Sequence, residues 1–101
     1  GGIDPHLPLA DQDPEVTRWI RREFLDYGGP LEKTVVHGHT PTDSFLPEVH
    51  RNRIAIDTGA FLSGRLSCAI LDDDGAEPRF FATDDSRGRI EVAEAEPLVF
   101  A

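Results

Sequence analysis

One stretch of this chain, residues 13–30, has the apolar spacing of an amphipathic helix and is the best-marked element of the sequence. Asp13 can cap such a helix and Pro14 suits its first turn, while Gly28, Gly29 and Pro30 end it. The apolar stripe that predicts its buried face consists of Val16, Ile20, Phe24 and Tyr27. Arg21 falls at the edge of that stripe, where its side chain can reach whatever the helix packs against.

Short apolar or alternating runs follow the helix and predict strands. These runs lie at residues 33–37, 53–57, 65–71 and 78–83, with a further short run at 89–94. Tight turns between most of them favour a largely antiparallel arrangement. We therefore predict one small α+β domain over residues 1–101, in which one helix is followed by a mostly antiparallel set of short strands.

The charge balance excludes two classes of partner. The chain carries 10 basic and 19 acidic residues, a formal net charge of -9. Nucleic acid and anionic membrane surfaces bind proteins through clustered Lys and Arg, so neither is an expected partner.

No apolar run approaches the ~18 residues that a membrane-spanning helix needs. Cys68 is the single cysteine and is predicted to be buried; one thiol gives no sign of an oxidising compartment, so a cytoplasmic location is expected.

The stretch TVVHGHTP, residues 34–41, raises the possibility of a metal site. His37 and His39 are two apart at the end of a predicted strand, where open sheets bind their ligands, and Gly38 allows a sharp bend between them. Imidazole is a common metal ligand, but a metal site requires three or four ligands. Taken alone, the stretch favours a turn in which both histidines bond to the backbone over a metal site.

A wider pattern resembles a known family. The segments VVHGHTP and NRIAIDTGAFLSGRLSCAIL are similar to the C-terminal half of the calcineurin-like metallophosphoesterases, in the bacterial and phage serine/threonine-phosphatase-like branch. Upstream, GIDPHLPLADQ and WIRREFL resemble the loop and the helix of that branch. The four segments occur in the family's order over roughly residues 1–71. The resemblance implies an α/β fold, the C-terminal half of an αββα sandwich.

The resemblance also implies roles for individual residues. His39 would bind one ion of a two-metal centre of Mn, Fe or Zn, and Arg21 would bind the phosphate of the substrate. Thr40 would shape the turn next to the ligand. Asp57 matches a turn residue that supports the site without binding metal. His37 matches no family ligand, so we predict a structural or supporting role for it.

The family's Gly-Asp-x-x-Asp-Arg-Gly and Gly-Asn-His-Glu motifs do not occur in the sequence. Asp-x-His occurs only as Asp4-Pro5-His6, which lies inside the loop segment GIDPHLPLADQ and not ahead of it, where the family has this motif. A further family ligand is a histidine that would immediately precede Gly1. The chain also contains no methionine. We therefore expect a fragment of a longer phosphatase, with no catalytic residue of its own and with little or no activity alone.

The expected partners of the longer protein are a phosphorylated protein or a small phosphate ester. The fragment itself is expected to expose an apolar face and to self-associate through it. Two alternatives remain open. The chain could be a non-catalytic β-rich binding or scaffold module, or the segment AIDTGA, residues 55–60, could belong to an aspartic-protease-like domain.

Overall fold

The computed structural model describes residues 1–100, which form a mixed helix-and-sheet fold with few helices and two sheets. The helices are a 3₁₀ turn at Leu9–Asp11, α1 at Pro14–Trp19, α2 at Arg22–Leu25 and α3 at Ala60–Ser63. The strands are β1 Val35–His37, β2 Glu48–Val49, β3 Arg53–Ala55, β4 Ser67–Ile70, β5 Arg79–Asp84, β6 Glu91–Glu94 and β7 Leu98–Val99. Within these residues, no helix has the length and hydropathy needed to cross a membrane.

The predicted first helix begins as expected but is not continuous. The Asp13 side chain accepts a hydrogen bond from the Glu15 amide at 2.9 Å, and Pro14 opens α1. The helix then breaks at Ile20, whose backbone is extended, and resumes at Arg22. The chain start supplies the reason, because the Gly2 amide donates to the Thr17 carbonyl and the Gly1 amino group donates to the Ile20 carbonyl, both at 2.9 Å.

The first sheet has the order β1-β3-β2-β7, with β1 parallel to β3 and β2 parallel to β7. The second sheet has the order β4-β5-β6 and is antiparallel throughout. Three of the five pairings are therefore antiparallel, as predicted. Strand β2 lies between the predicted runs at 33–37 and 53–57, and β7 lies beyond every predicted strand.

The core is small and draws its buried apolar residues from α2 and from both sheets. Its fully buried aromatic side chains are Phe24 and Phe80. Ile54, Ala55 and Ala82 complete the buried apolar set. The predicted stripe is wrong at Val16, which is exposed because α1 ends before it can pack its whole face.

The prediction that Cys68 is buried is also wrong. Its side chain is exposed. Side chains alternate along β4, and the intervening residues Ser67 and Ala69 are the less exposed ones. The Ser67 hydroxyl lies 2.7 Å from the Thr58 hydroxyl, which fixes which face of β4 turns inward.

Candidate functional site

The GHT turn follows β1 at the sheet edge where β3 also ends. Because β1 and β3 are parallel, with His37 opposite Ala55, the residues after each strand meet at that edge. A Cβ atom added to Gly38 would lie only 3.6 Å from the Cβ of Asp57, so the two segments run in close contact. His39 has a φ of 74°, a left-handed conformation that is uncommon for residues other than glycine.

The break between α1 and α2 directs Arg21 toward His39. Arg21 occupies the break itself, with φ -128° and ψ -100°, outside both helices. Its Nε donates a hydrogen bond to Nε2 of His39 at 3.1 Å. The structure thus brings together the two residues that the sequence predicts as phosphate-binding and metal-binding, although they lie on different elements.

This contact assigns the tautomer of His39. An Arg N–H can only donate, so Nε2 carries the lone pair and the proton of the neutral ring resides on Nδ1. The pKa of His39 lies below its usual value, first because the ring is partly desolvated, then because the Gly1 amino group and the Arg21 guanidinium are positively charged. The carboxylate of Asp57 opposes this shift. A neutral imidazole is the form that can bind a metal ion.

Trp19 forms one wall of the site. Its ring meets that of His39 edge to face, with centroids 5.2 Å apart, and its indole N–H donates to Glu15 at 3.2 Å. The side chain is nevertheless 62% exposed. The sequence analysis gave Trp19 no role beyond its place in the segment WIRREFL. Its position two residues before Arg21 could have indicated that it lies near the same site.

His37 lies in a different environment. It is only 6% exposed, packs edge-on against Phe24 at 5.0 Å between centroids, and faces Arg53, whose NH1 is 3.0 Å from its Nε2. Burial, followed by the charge of Arg53, lowers the pKa of His37 to about 4. The two histidines therefore do not share a site, and His37 sits in the packed interior as a neutral ring.

Asp57 makes a hydrogen bond that closes a turn, whereas the Thr40 hydroxyl makes none. The Thr40 hydroxyl is buried and has no hydrogen-bond partner among residues 1–100. Thr40 lines a cavity of about 170 Å³ together with His37 and Arg53. Asp57 accepts a hydrogen bond from the Gly59 amide at 3.1 Å, which closes the turn after β3. The Asp57 side chain also lies next to Gly38.

No complete metal centre is formed by the described part of the chain. Residues 1–100 contain no group of three or more His, Cys, Asp or Glu side chains arranged to hold an ion. His39 is thus a single imidazole whose one lone pair, on Nε2, accepts the hydrogen bond from Arg21. Comparison with protein-family models, with curated proteins and with solved structures found no match to this chain.

Proposed function

We propose that this chain forms part of a metal-dependent phosphoesterase that hydrolyses phosphate monoesters. The observation that carries the proposal is the contact between Arg21 and His39. Arg21 uses only Nε in that contact, and its two terminal amino groups have no hydrogen-bond partner within residues 1–100. A guanidinium fork held in this way suits bidentate binding of two phosphate oxygens.

His39 would supply one imidazole nitrogen to a divalent ion of a two-metal centre, such as Mn, Fe or Zn. Such ions, when bound, activate a water molecule and offset the charge of the phosphate. The remaining ligands would come from polypeptide outside the described residues, since these contain no three-ligand group. The ring is neutral, and its Nε2 lone pair would bind the ion in place of the Arg21 N–H, which would then be free to turn to the phosphate.

The residues of this chain would then act by positioning. Arg21 is positively charged and would lie beside a cation at His39, an arrangement that an anion between them stabilises. A phosphate monoester is such an anion, and the guanidinium would fix its orientation for in-line attack. Trp19 restrains the His39 ring, and Asp57 restrains the turn that carries it.

We further propose that the fold is the C-terminal half of a metallophosphoesterase αββα sandwich. Two separate sheets and the position of His39, two residues after the end of β1, support this assignment. The scaffold-module and aspartic-protease alternatives give no role to the contact between Arg21 and His39.

Metal binding by the chain itself can be tested without activity. Mn²⁺ is paramagnetic and broadens the NMR signals of nearby protons, even at weak sites. The imidazole signals of His39 and the indole signals of the adjacent Trp19 should broaden at lower Mn²⁺ concentration than the signals of His6 and His50. In the His39→Gln variant the Trp19 signals should lose this early broadening. Equal broadening of all three histidines would contradict the proposed ligand.

Activity is tested with p-nitrophenyl phosphate and Mn²⁺ in a longer protein that contains this chain. We expect His39→Ala and Arg21→Gln each to lower kcat by about 10²-fold or more. The control is Arg18→Gln, because Arg18 is an exposed arginine of α1 that pairs with Glu15. The 101-residue chain alone should show little turnover; robust hydrolysis by it, abolished by His39→Ala, would refute the need for ligands from elsewhere.

A further inference from the structure

Strand β4 forms an open edge of the second sheet. It pairs with β5 on one side only. The Thr83 amide donates to the Leu66 carbonyl at 3.0 Å, so alternate residues bond to β5 and the backbone groups of Ser67 and Ala69 point outward. Of these four outward groups, only the Ala69 carbonyl has a contact among the described residues, a 3.7 Å approach of Cys68 Sγ.

This edge lacks the features that usually prevent pairing between chains. Such edges are blunted by charged residues, proline or a bulge. Strand β6, at the opposite edge of the same sheet, carries Glu91 and Glu94, and Pro97 precedes β7 in the other sheet. Strand β4 has the sequence SCAI, with no charge and no proline.

The side chains on the outer face of β4 are also apolar and exposed. Leu66, just before the strand, is 67% exposed, and Cys68 and Ile70 are exposed as well. All three lie on one face because side chains alternate along a strand. The edge therefore offers unpaired backbone groups together with a row of apolar side chains.

We propose that a second copy of this chain pairs antiparallel with β4, with Cys68 of one copy opposite Cys68 of the other. In this register Ser67 of each copy faces Ala69 of the other, so all four outward backbone groups of each strand are used. Leu66 of each copy faces Ile70 of the other, which makes a continuous apolar row across the two-fold axis. The two three-stranded sheets become one sheet of six strands.

The charges at the two ends of β4 favour the antiparallel direction and a second copy as occupant. Arg65 precedes the strand, and Asp72, Asp73 and Asp74 follow it. In the proposed register Arg65 faces Leu71 of the second copy, one residue from Asp72. The Arg65 guanidinium donates to the Phe45 carbonyl of its own chain, and its positive charge remains at the end of β4 that meets the acidic end of the second strand, which partly offsets the repulsion between two chains of net charge -9.

The test is light scattering on the chain from micromolar to millimolar concentration. We expect the mass to rise toward twice that of one 11.2 kDa chain. Cys68→Lys places like charges opposite each other on the axis and should raise the dimer Kd about tenfold or more. Ala69→Pro removes an outward amide that takes no part in pairing with β5, and should do the same.

The matched control is Val92→Lys, because Val92 is also exposed on the same face but lies on β6. A monomer at all concentrations overturns the proposal. So does a dimer that survives both β4 variants, or one that is weakened as much by Val92→Lys. None of these outcomes bears on the phosphoesterase proposal, which does not depend on β4.

Cys68 gives an independent readout. Diamide accepts two electrons and two protons from a pair of thiols and leaves a disulfide, so two Cys68 residues opposite each other should give a covalent dimer on a non-reducing gel. A Cys68→Ser/Val92→Cys chain carries its thiol on β6 and should remain monomeric on the same gel. Equal cross-linking of both chains would contradict the proposed register.

Discussion

Arg21 Nε lies 3.1 Å from His39 Nε2, although 18 residues separate the two along the chain. The contact depends on a broken helix and a left-handed turn, neither of which regular secondary structure would provide. It positions a guanidinium fork beside an imidazole lone pair. This relationship is the basis of the proposed phosphate-binding role.

Replacing Arg21 tests the fork directly. Arg21→Lys keeps the charge but loses the bidentate geometry, so we expect binding of inorganic phosphate to weaken by about tenfold in a metal-loaded longer protein; Arg21→Gln should abolish it. Calorimetric titration measures both. Arg18→Gln, the exposed control on α1, should bind phosphate like the wild type, and unchanged binding by Arg21→Gln would remove the proposed role.

Phe24 is the residue on which the core depends most. It is fully buried and contacts the ring of His37, so Phe24→Ala should lower the free energy of unfolding by about 3–5 kcal/mol. Phe61→Ala is the matched control because Phe61 is 87% exposed, and its effect should stay within about 0.5 kcal/mol. Urea unfolding followed by fluorescence measures the difference, and similar losses in both variants would contradict the described packing.

Gly2 should tolerate no side chain. Its φ is 152°, and a Cβ atom there would overlap the ring of Phe24. We expect Gly2→Ala to lower the free energy of unfolding by about 1–3 kcal/mol. Gly28→Ala is the control, because a Cβ at Gly28 would meet no atom within 4 Å. Thermal unfolding measures the Tm of Gly2→Ala and of Gly28→Ala. Equal Tm values would show that Gly2 is not packed as described.

The left-handed backbone of His39 can be separated from its chemistry. Asn adopts this conformation readily, whereas a β-branched residue does not. His39→Asn should therefore unfold at nearly the wild-type urea concentration, and His39→Val should lose about 1–2 kcal/mol. If both variants are equally stable, the turn does not hold residue 39 at positive φ.

Asp84 should make stability depend on pH. The Ser86 amide donates to its carboxylate at 2.9 Å, and this bond, followed by the Ser86 hydroxyl, holds the pKa of Asp84 below its usual value. Its stabilising contribution is therefore complete above the unfolded-state pKa and is lost as the pH falls through the lower folded-state pKa. Asp84→Asn should be less stable than wild type at neutral pH, and the difference should shrink in acid. A stability difference between Asp84→Asn and wild type that stays constant with pH would contradict this account. Asp73→Asn is the control for the loss of one exposed carboxylate.

Local sequence signals predicted the start of α1 and most of the strands. Asp13 and Pro14 act within one turn of the backbone, so their effect does not depend on the rest of the chain. The strands at β1, β3, β4, β5 and β6 fall within the predicted runs to within a residue or two, because β-branched and alternating side chains favour an extended backbone wherever they lie. Strands β2 and β7 were missed because each has two residues and is formed by pairing with distant neighbours.

The burial of individual side chains was less predictable. Cys68 was expected inside because cysteine is usually buried, but the phase of β4 is fixed by the contact of Ser67 with Thr58. Val16 was expected on a buried stripe that assumes a continuous helix. In both cases the residue type was compatible with burial, and a contact distant in sequence decided otherwise.

The sequence by itself determined the start of α1, the positions of five of the strands, and the two residues, Arg21 and His39, that carry the proposed chemistry. Only the tertiary structure decided that those residues touch, that His37 belongs to the interior, and that β4 ends as an open edge. The physical reason is the range of the interactions: caps and side-chain alternation act over a few residues, whereas the bonds from Gly1 and Gly2 to the end of α1, and the pairing of strands, exist only once the chain has folded.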